Sequence, residues 1–191
     1  MSHPIAAGKS SFDLIDANAF LAALDLKADS VLLDLACGAG NYAVEIGRKL
    51  KGAGTVHALD LWAEGIARLK ERAGALGLDN IEATVADVSK RLPLADDTVD
   101  VCLMATVLHD LIAAGTHAGT LREVVRVLRP GGCLAVVEFK KMPGPPGPPE
   151  KIRLSPQELQ RVLAPLGFAF TDTRELGATT YLSRFRLEAA A

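Results

Sequence analysis

Cysteine, aromatic residues and unbalanced charge are all scarce in this chain, and each shortage removes a class of protein. Three cysteines stand far apart among 191 residues, an odd number without metal-ligand spacing. They exclude a disulfide framework, leave no expected metal site, and point to a reducing, cytoplasmic compartment. Cys102 and Cys133 lie in apolar, strand-like runs and read as small buried hydrophobes. Aromatics make up 5% of the chain, with no aromatic-interleaved basic stretch on which nucleotide bases would stack. Lys and Arg number 21 against 23 Asp and Glu, so a net charge of −2 offers nucleic acid no electrostatic grip. No apolar run is long enough to cross a bilayer. Met1 to Ser10 lacks the charged-then-apolar order of a signal peptide. Neither nucleic acid nor membrane is an expected partner.

What is present is an ordinary globular composition, 49% hydrophobic and 23% charged. The length suits one domain over residues 1–191 with a sizeable core. No internal repeat is visible. Phe12 to Leu24 contains a short helix with Asp16 as its N-cap. It precedes the first strand, and residues 1–28 are expected to form a helical lid segment across the site. The chain then alternates. Strands are expected at 31–35, 55–59, 81–86, 99–105 and 133–139, with helices over 41–50, 61–75 and 116–129. That alternation means a parallel sheet with helices on both faces, an α/β sandwich of three layers. Residues 142–149 hold half of the ten prolines and read as a stiff surface connector. Ser155-Pro156-Gln157-Glu158 is a capping box that opens a further helix. Phe168 to Arg174 and Thr180 to Leu187 read as a closing hairpin around Gly177.

The organising stretch is Val31 to Ala43. A near-continuously apolar strand runs into the turn Ala36-Cys37-Gly38-Ala39-Gly40, and a helix starts at Asn41. Gly38 and Gly40 permit positive φ and close approach of a ligand, and the helix aims its free N–H groups at the turn. Asp34 is an acid inside an apolar strand, costly unless something cationic answers it; an amine-bearing ligand would do so. Asp60 ends the second strand, placed to accept two ribose hydroxyls. Asp87 ends the third, placed to accept an adenine amino group. Strand carboxyl ends are where open parallel sheets bind ligands. Taken singly, any of the three acids reads equally well as a helix cap or turn residue. Together they describe a pocket for an adenosine-containing ligand. Gly38-x-Gly40-x-x-Ala43 also fits the dinucleotide pattern loosely, but Asp34 would set a negative charge near a pyrophosphate.

On these motifs the chain resembles the class I S-adenosylmethionine-dependent methyltransferases from about Val31 to Leu187. The matching stretches are 31–40, His57 to Asp60, Ala86 to Val88, Leu92 to Val101 and Val124 to Glu138. The resemblance is nearest to the small-molecule branch with ubiquinone- and arsenite-methylating relatives. It implies a Rossmann-like, mostly parallel seven-stranded sheet in the order 3-2-1-4-5-7-6, with strand 7 antiparallel. It also implies S-adenosylmethionine as cofactor and a small-molecule acceptor. By the same resemblance Asp34 holds the cofactor's amino group directly or through water, Gly38 and Gly40 lie under its methionine part, and Ala36 and Cys37 also belong to the cofactor site. Asp60 takes the ribose, with Leu61 and Trp62 flanking the adenine. Asp87 and Val88 face the adenine edge, and Met104, Ala105 and Thr106 border the sulfonium. Ala36 stands where the family often has glycine, which a methyl tolerates if φ is negative.

Methyl transfer is an in-line displacement in which the protein chiefly aligns the reactants. A hydroxyl nucleophile also needs a base. His109, beside Asp110 past the fourth strand, is the candidate, with Asp110 or another acid to orient it. It reads equally well as a packing histidine at a helix start. Glu138, Lys140 and Lys141 past the fifth strand either bind an anionic substrate or flank the proline loop. Phe12, Tyr42 and Trp62 are the aromatics near the expected pocket. No metal-like cysteine spacing supports an arsenite substrate. Two other readings remain: a nicotinamide-dependent oxidoreductase, NAD(P)-linked, in which Asp34 is structural, and a module that binds the cofactor without turnover.

Overall fold

The computed structural model describes residues 10–189. Seven strands form one sheet: β1 (Val31–Leu35), β2 (Thr55–Asp60), β3 (Ile81–Val85), β4 (Val99–Ala105), β5 (Leu128–Phe139), β6 (Phe168–Glu175) and β7 (Thr180–Leu187). Their order is β3-β2-β1-β4-β5-β7-β6. β1, β2, β3, β4 and β5 pair in parallel, while β7 runs antiparallel to both β5 and β6. This is the expected topology. Strand order reverses between β1 and β4, so the crevice outside their carboxyl ends is the switch point.

The helices are α1 (Ala17–Ala23), α2 (Asn41–Leu50), α3 (Ala63–Ala75), α4 (Leu108–Ala113), α5 (His117–Val127) and α6 (Pro156–Leu163). Alternation along each strand sends side chains to two separate cores. Leu33 and Leu35 pack with Met104, Val136 and Phe185 beneath α5 and α6. Leu32 packs with Ala58, Leu103 and Ala135 beneath α1, α2 and α3. Each leucine so buried stabilises the fold by roughly 1.5–3 kcal/mol. α2 buries Tyr42, Ala43, Ile46 and Leu50 on one stripe and stops at Lys51, whose left-handed conformation ends the helix. α3 buries Ile66, Leu69 and Ala73, but Leu76, which continues that stripe in sequence, is exposed.

Local chemistry sets the ends. The Asp16 carboxylate caps α1 by accepting from the amides of Asn18 and Ala19. At α6 both bonds of the capping box form, with the Ser155 amide 2.7 Å from Glu158 Oε2. Several boundaries shift by one or two residues, α3 starting at Ala63 and α5 ending at Val127, α4 is an element not expected from the sequence, and one departure is larger. β5 begins at Leu128 rather than Cys133, because Arg129 to Gly132 bulge outward while Leu128 still pairs with Val99. Among the described residues no helix is long and apolar enough to cross a membrane. The expected lid spans 1–28; its first nine residues lie outside the described residues, and its remainder carries a 3-10 turn at Phe12–Leu14 and α1.

Candidate functional site

β1 delivers Asp34 to the switch point, on the same face as Leu32 and under the start of α2. Its carboxylate is 0% exposed. Neither oxygen has a hydrogen-bond partner among the described residues. Burial, then the negative charge of Asp60, push its pKa up to about 7. The nearby Ala43 amide acts in the opposite direction without reaching hydrogen-bond geometry. A buried polar group without a partner costs roughly 1–3 kcal/mol, and more when charged. A carboxylate left this way at the mouth of a strand is an unanswered half of an ion pair.

The turn that follows is a run of left-handed residues. Ala36, Gly38 and Gly40 have φ of +61°, +57° and +72°. Ala36 therefore corrects the expectation of a negative φ: its methyl is held in a conformation costing about 1–2 kcal/mol. A Cβ built on Gly38 would meet nothing within 4 Å, so this backbone faces open space. A Cβ on Gly40 would strike Leu69 at 2.4 Å, so glycine there serves helix packing. Cys37 lies in the turn, partly buried, its thiol pKa raised chiefly by that burial.

Asp60 does more than end β2. Oδ2 accepts the Gly38 amide and Oδ1 the Trp62 amide, each at 2.7 Å. It thus fixes the glycine turn from below. A carboxylate has about four lone-pair sites, so two acceptor positions remain. Leu61 stands 57% exposed beside it. Trp62 is buried instead, its ring packed on Gly65 and covered by the Arg68 guanidinium at 5.3 Å. Asp87 accepts the amide and hydroxyl of Ser89 on Oδ1, which lowers its pKa. Val88 is buried in the core on the α5 side of the sheet.

The end of β4 forms the far wall. Met104 is fully buried on the opposite face of the sheet from Asp34, so its side chain does not border the site as expected. Ala105 faces the Asp34 side. Thr106 has φ +52°, a strained geometry for a β-branched residue. Its Oγ1 lies 3.1 Å from the Ser11 hydroxyl, which in turn lies 2.8 Å from the Tyr42 hydroxyl. This chain of three hydroxyls ties the N-terminal segment to α2 and β4. Phe12 and Phe20 close on the Tyr42 ring edge-on, at 5.1 and 5.0 Å. Nothing in the sequence marked Ser11 as the tie.

His109, on α4, is 4% exposed. Its Nδ1 lies 2.8 Å from Glu138 Oε2, and its amide donates to Glu138 Oε1 at 3.2 Å. Nε2 faces Asp110 Oδ1 at 3.5 Å. Burial alone would lower the imidazole pKa, but the Glu138 hydrogen bond and charge, with Asp110, outweigh it and leave it raised. Glu138 is fully buried at the end of β5, so it orients His109 rather than meeting solvent. Lys140 and Lys141 pair outward with Glu175 and Glu158.

Comparison with known proteins gives the family of the chain. A family model described as a methyltransferase domain matches residues 32–132, more than half of the chain. The chain belongs to the S-adenosylmethionine-dependent methyltransferase family. A solved S-adenosylmethionine-dependent methyltransferase from Aquifex aeolicus superposes with a TM-score of 0.84 at 29% identity, covering 93% of each chain. A ubiquinone/menaquinone biosynthesis C-methyltransferase of Bdellovibrio bacteriovorus is 37% identical over 113 residues, 59% of this chain and 46% of that protein. A demethylmenaquinone methyltransferase of Bacillus cytotoxicus is 30% identical over 115 residues, 60% of this chain and 47% of that protein. The aligned part of this methyltransferase-family chain thus spans under half the length of these curated relatives. Family membership sets aside the dinucleotide reading. The residues present also fit the family's cofactor, because Asp34 is an orphaned buried carboxylate and Gly38 leaves an open cradle beside it.

Proposed function

We propose that this chain transfers the methyl group of S-adenosylmethionine to a small, electron-rich aromatic acceptor of the hydroquinone type. The observation that carries the reading is Asp34, whose unpartnered carboxylate sits beside the Gly38 cradle at the switch point. The quinone-modifying names of the relatives support the acceptor class.

Asp34 holds the cofactor's ammonium group, and the turn Ala36, Cys37, Gly38 and Gly40 lies against its methionine part. Asp60 offers its two remaining acceptor positions to the ribose. Exposed Leu61 lies on the adenine face, and Asp87, with the backbone but not the buried side chain of Val88, at the adenine edge. Ala105 and Thr106 border the sulfonium. When bound, the cofactor supplies an electrophilic methyl carbon on an excellent leaving group. The protein's share is alignment and exclusion of water.

His109 supplies the base. Glu138 accepts from Nδ1, which fixes the tautomer with a lone pair on Nε2. A hydroxyl proton passes to Nε2, the ring becomes imidazolium, and Glu138 and Asp110 stabilise that charge. The oxyanion so formed pushes electron density onto a ring carbon, which would take the methyl as the sulfur–carbon bond breaks and would then release its own hydrogen as a proton to water, restoring the aromatic ring. Such a base contributes about 10²–10⁴-fold.

The test is transfer of labelled methyl from S-adenosylmethionine to a panel holding 2-phytyl-1,4-naphthoquinol, simple phenols and a peptide control. Label on the naphthoquinol supports the reading; label only on the peptide, or none, overturns it. A second reading, a module that binds without turnover, draws on the near-complete burial of His109. It is the outcome if S-adenosylhomocysteine binds and no acceptor is labelled.

A further inference from the structure

Residues 142–149 read in sequence as a plain connector, but the structure wraps them around a cation. Arg153 is 2% exposed. Its Nε donates to the Pro148 carbonyl, Nη1 to those of Lys140 and Met142, and Nη2 to those of Gly144 and Pro146, at 2.6–3.1 Å. Every second carbonyl from 140 to 148 thus turns inward, and all five guanidinium N–H groups are used. No carboxylate pairs with Arg153 among the described residues.

The physical need is plain. Five of the eight residues from 142 to 149 are prolines, which carry no N–H. Such a run cannot satisfy its own carbonyls, so an outside donor must. Arginine alone has five donors in a fixed fork; lysine has three on a single point.

The loop's position gives this cage a consequence. It leaves β5 one residue after Glu138, and the 3-10 turn Glu150–Ile152 that follows it packs against α4, which carries His109. The Arg153 charge is near enough to His109 to oppose the effect of Glu138 on the imidazole. Phe139 lies under the guanidinium at 5.8 Å. Leu154, next in the chain, is pinned by the Tyr181 hydroxyl at 2.5 Å, and Tyr181 pairs with Glu138 across β5 and β7. The loop's outward face carries prolines and the exposed side chain of Met142.

We propose that Arg153 is a positioning residue that moulds residues 140–148 into a fixed apolar wall beside His109 and Glu138, and that this wall selects a flat, apolar acceptor. The proposal rests on the acceptor-side reading of His109 given above. It gives the loop a role in specificity and leaves the cofactor pocket independent of it.

The test uses the full chain with Arg153→Lys and, as a variant that leaves Arg153 intact, Gly147→Ala. Gly147 has φ +96°, and a Cβ there would meet the Phe139 ring at 2.7 Å, so it spoils the loop from its other side. Exchange of the Ile152 and Arg153 amides, which donate to the Pro149 and Glu150 carbonyls, S-adenosylhomocysteine affinity, and kcat and KM with 2-phytyl-1,4-naphthoquinol are measured for each. The expected result is exchange faster by about tenfold or more at these two amides. KM should rise about tenfold with kcat and cofactor affinity little changed. Unchanged exchange in Arg153→Lys overturns the cage. Faster exchange with unchanged KM in either variant overturns the wall. If Arg153→Lys does not fold, Gly147→Ala decides by the same KM criterion. Should wild type neither bind nor methylate the naphthoquinol, the acceptor reading fails, and the role of Arg153 is decided by exchange alone.

Discussion

Glu138 accepts from both the ring Nδ1 and the backbone amide of His109, at 2.8 and 3.2 Å. One buried carboxylate therefore sets the tautomer, the ring orientation and the start of α4. An acid that does only one of these is replaceable; one that does all three ties the end of β5 to the helix after β4.

The first prediction follows from that tie. Glu138→Gln keeps the size and removes the charge, so His109 loses the contact that raises its pKa. Activity requires neutral His109 and climbs as pH rises through its pKa. In Glu138→Gln this climb is expected at lower pH, with a lower plateau. His109→Gln is expected to cut kcat by about 10²–10⁴-fold and to leave S-adenosylhomocysteine affinity unchanged. A pH–rate profile with parallel calorimetry checks both. An unaltered profile in Glu138→Gln would remove the dyad from the chemistry.

Asp60→Asn tests the double duty of that carboxylate. The substituted amide must turn its NH2 toward either the Gly38 or the Trp62 amide, setting donor against donor. Loss of a hydrogen bond to a charged group costs roughly 1.5–3 kcal/mol. The expected outcome is a lower melting temperature and weaker S-adenosylhomocysteine binding together, read by thermal denaturation and titration calorimetry. Weaker binding with unchanged stability would mean that the amide contacts do not hold the turn.

Ala36→Gly addresses the backbone. Glycine removes the left-handed penalty of about 1–2 kcal/mol but gains unfolded-state entropy worth about 0.4–1 kcal/mol. The variant is expected to be more stable by up to about 1.5 kcal/mol, or at most roughly 3–6 °C for a chain of this size. A clear loss of stability would show that the Ala36 methyl makes packing contacts that outweigh the strain.

How far the site was legible depended on how local each signal is. Strand ends and helix caps are written within a few residues, so Val31–Leu35, Asn41–Leu50, Val99–Ala105 and the Ser155 capping box fell where the sequence placed them. The placement of Asp34 was legible because an acid in an apolar strand is locally anomalous, and that of Asp60, Gly38 and Gly40 because a strand end and a tight turn are local signals too. Three features were not. The φ of Ala36 depends on the closure of the turn onto Leu59, whose carbonyl takes the Cys37 amide. The face occupied by Met104 follows from the register of β4 against its neighbours. Ser11 and Arg153 work through partners that no sequence period connects: Ser11 reaches Thr106, 95 residues away, and Arg153 reaches carbonyls, which every residue has.

The central claim is that Asp34 seats the cofactor's ammonium group, and calorimetric titration of S-adenosylhomocysteine at pH 6 and pH 8 tests it most directly. Asp34 holds its proton up to about pH 7 in the free protein, with Asp60, Tyr42 and Cys37 as its titratable neighbours. Its folded pKa is raised, so it binds a proton between about pH 4 and 7 that the unfolded chain has released. That term favours the fold at low pH and is lost as pH rises toward 7. An ammonium ligand needs the ionised form, so binding expels the proton and is expected to be about tenfold tighter at pH 8 than at pH 6. In Asp34→Asn, binding is expected to be weaker at both pH values and the pH dependence absent. Equal binding by wild type and Asp34→Asn, or no binding by wild type at either pH, would contradict the account.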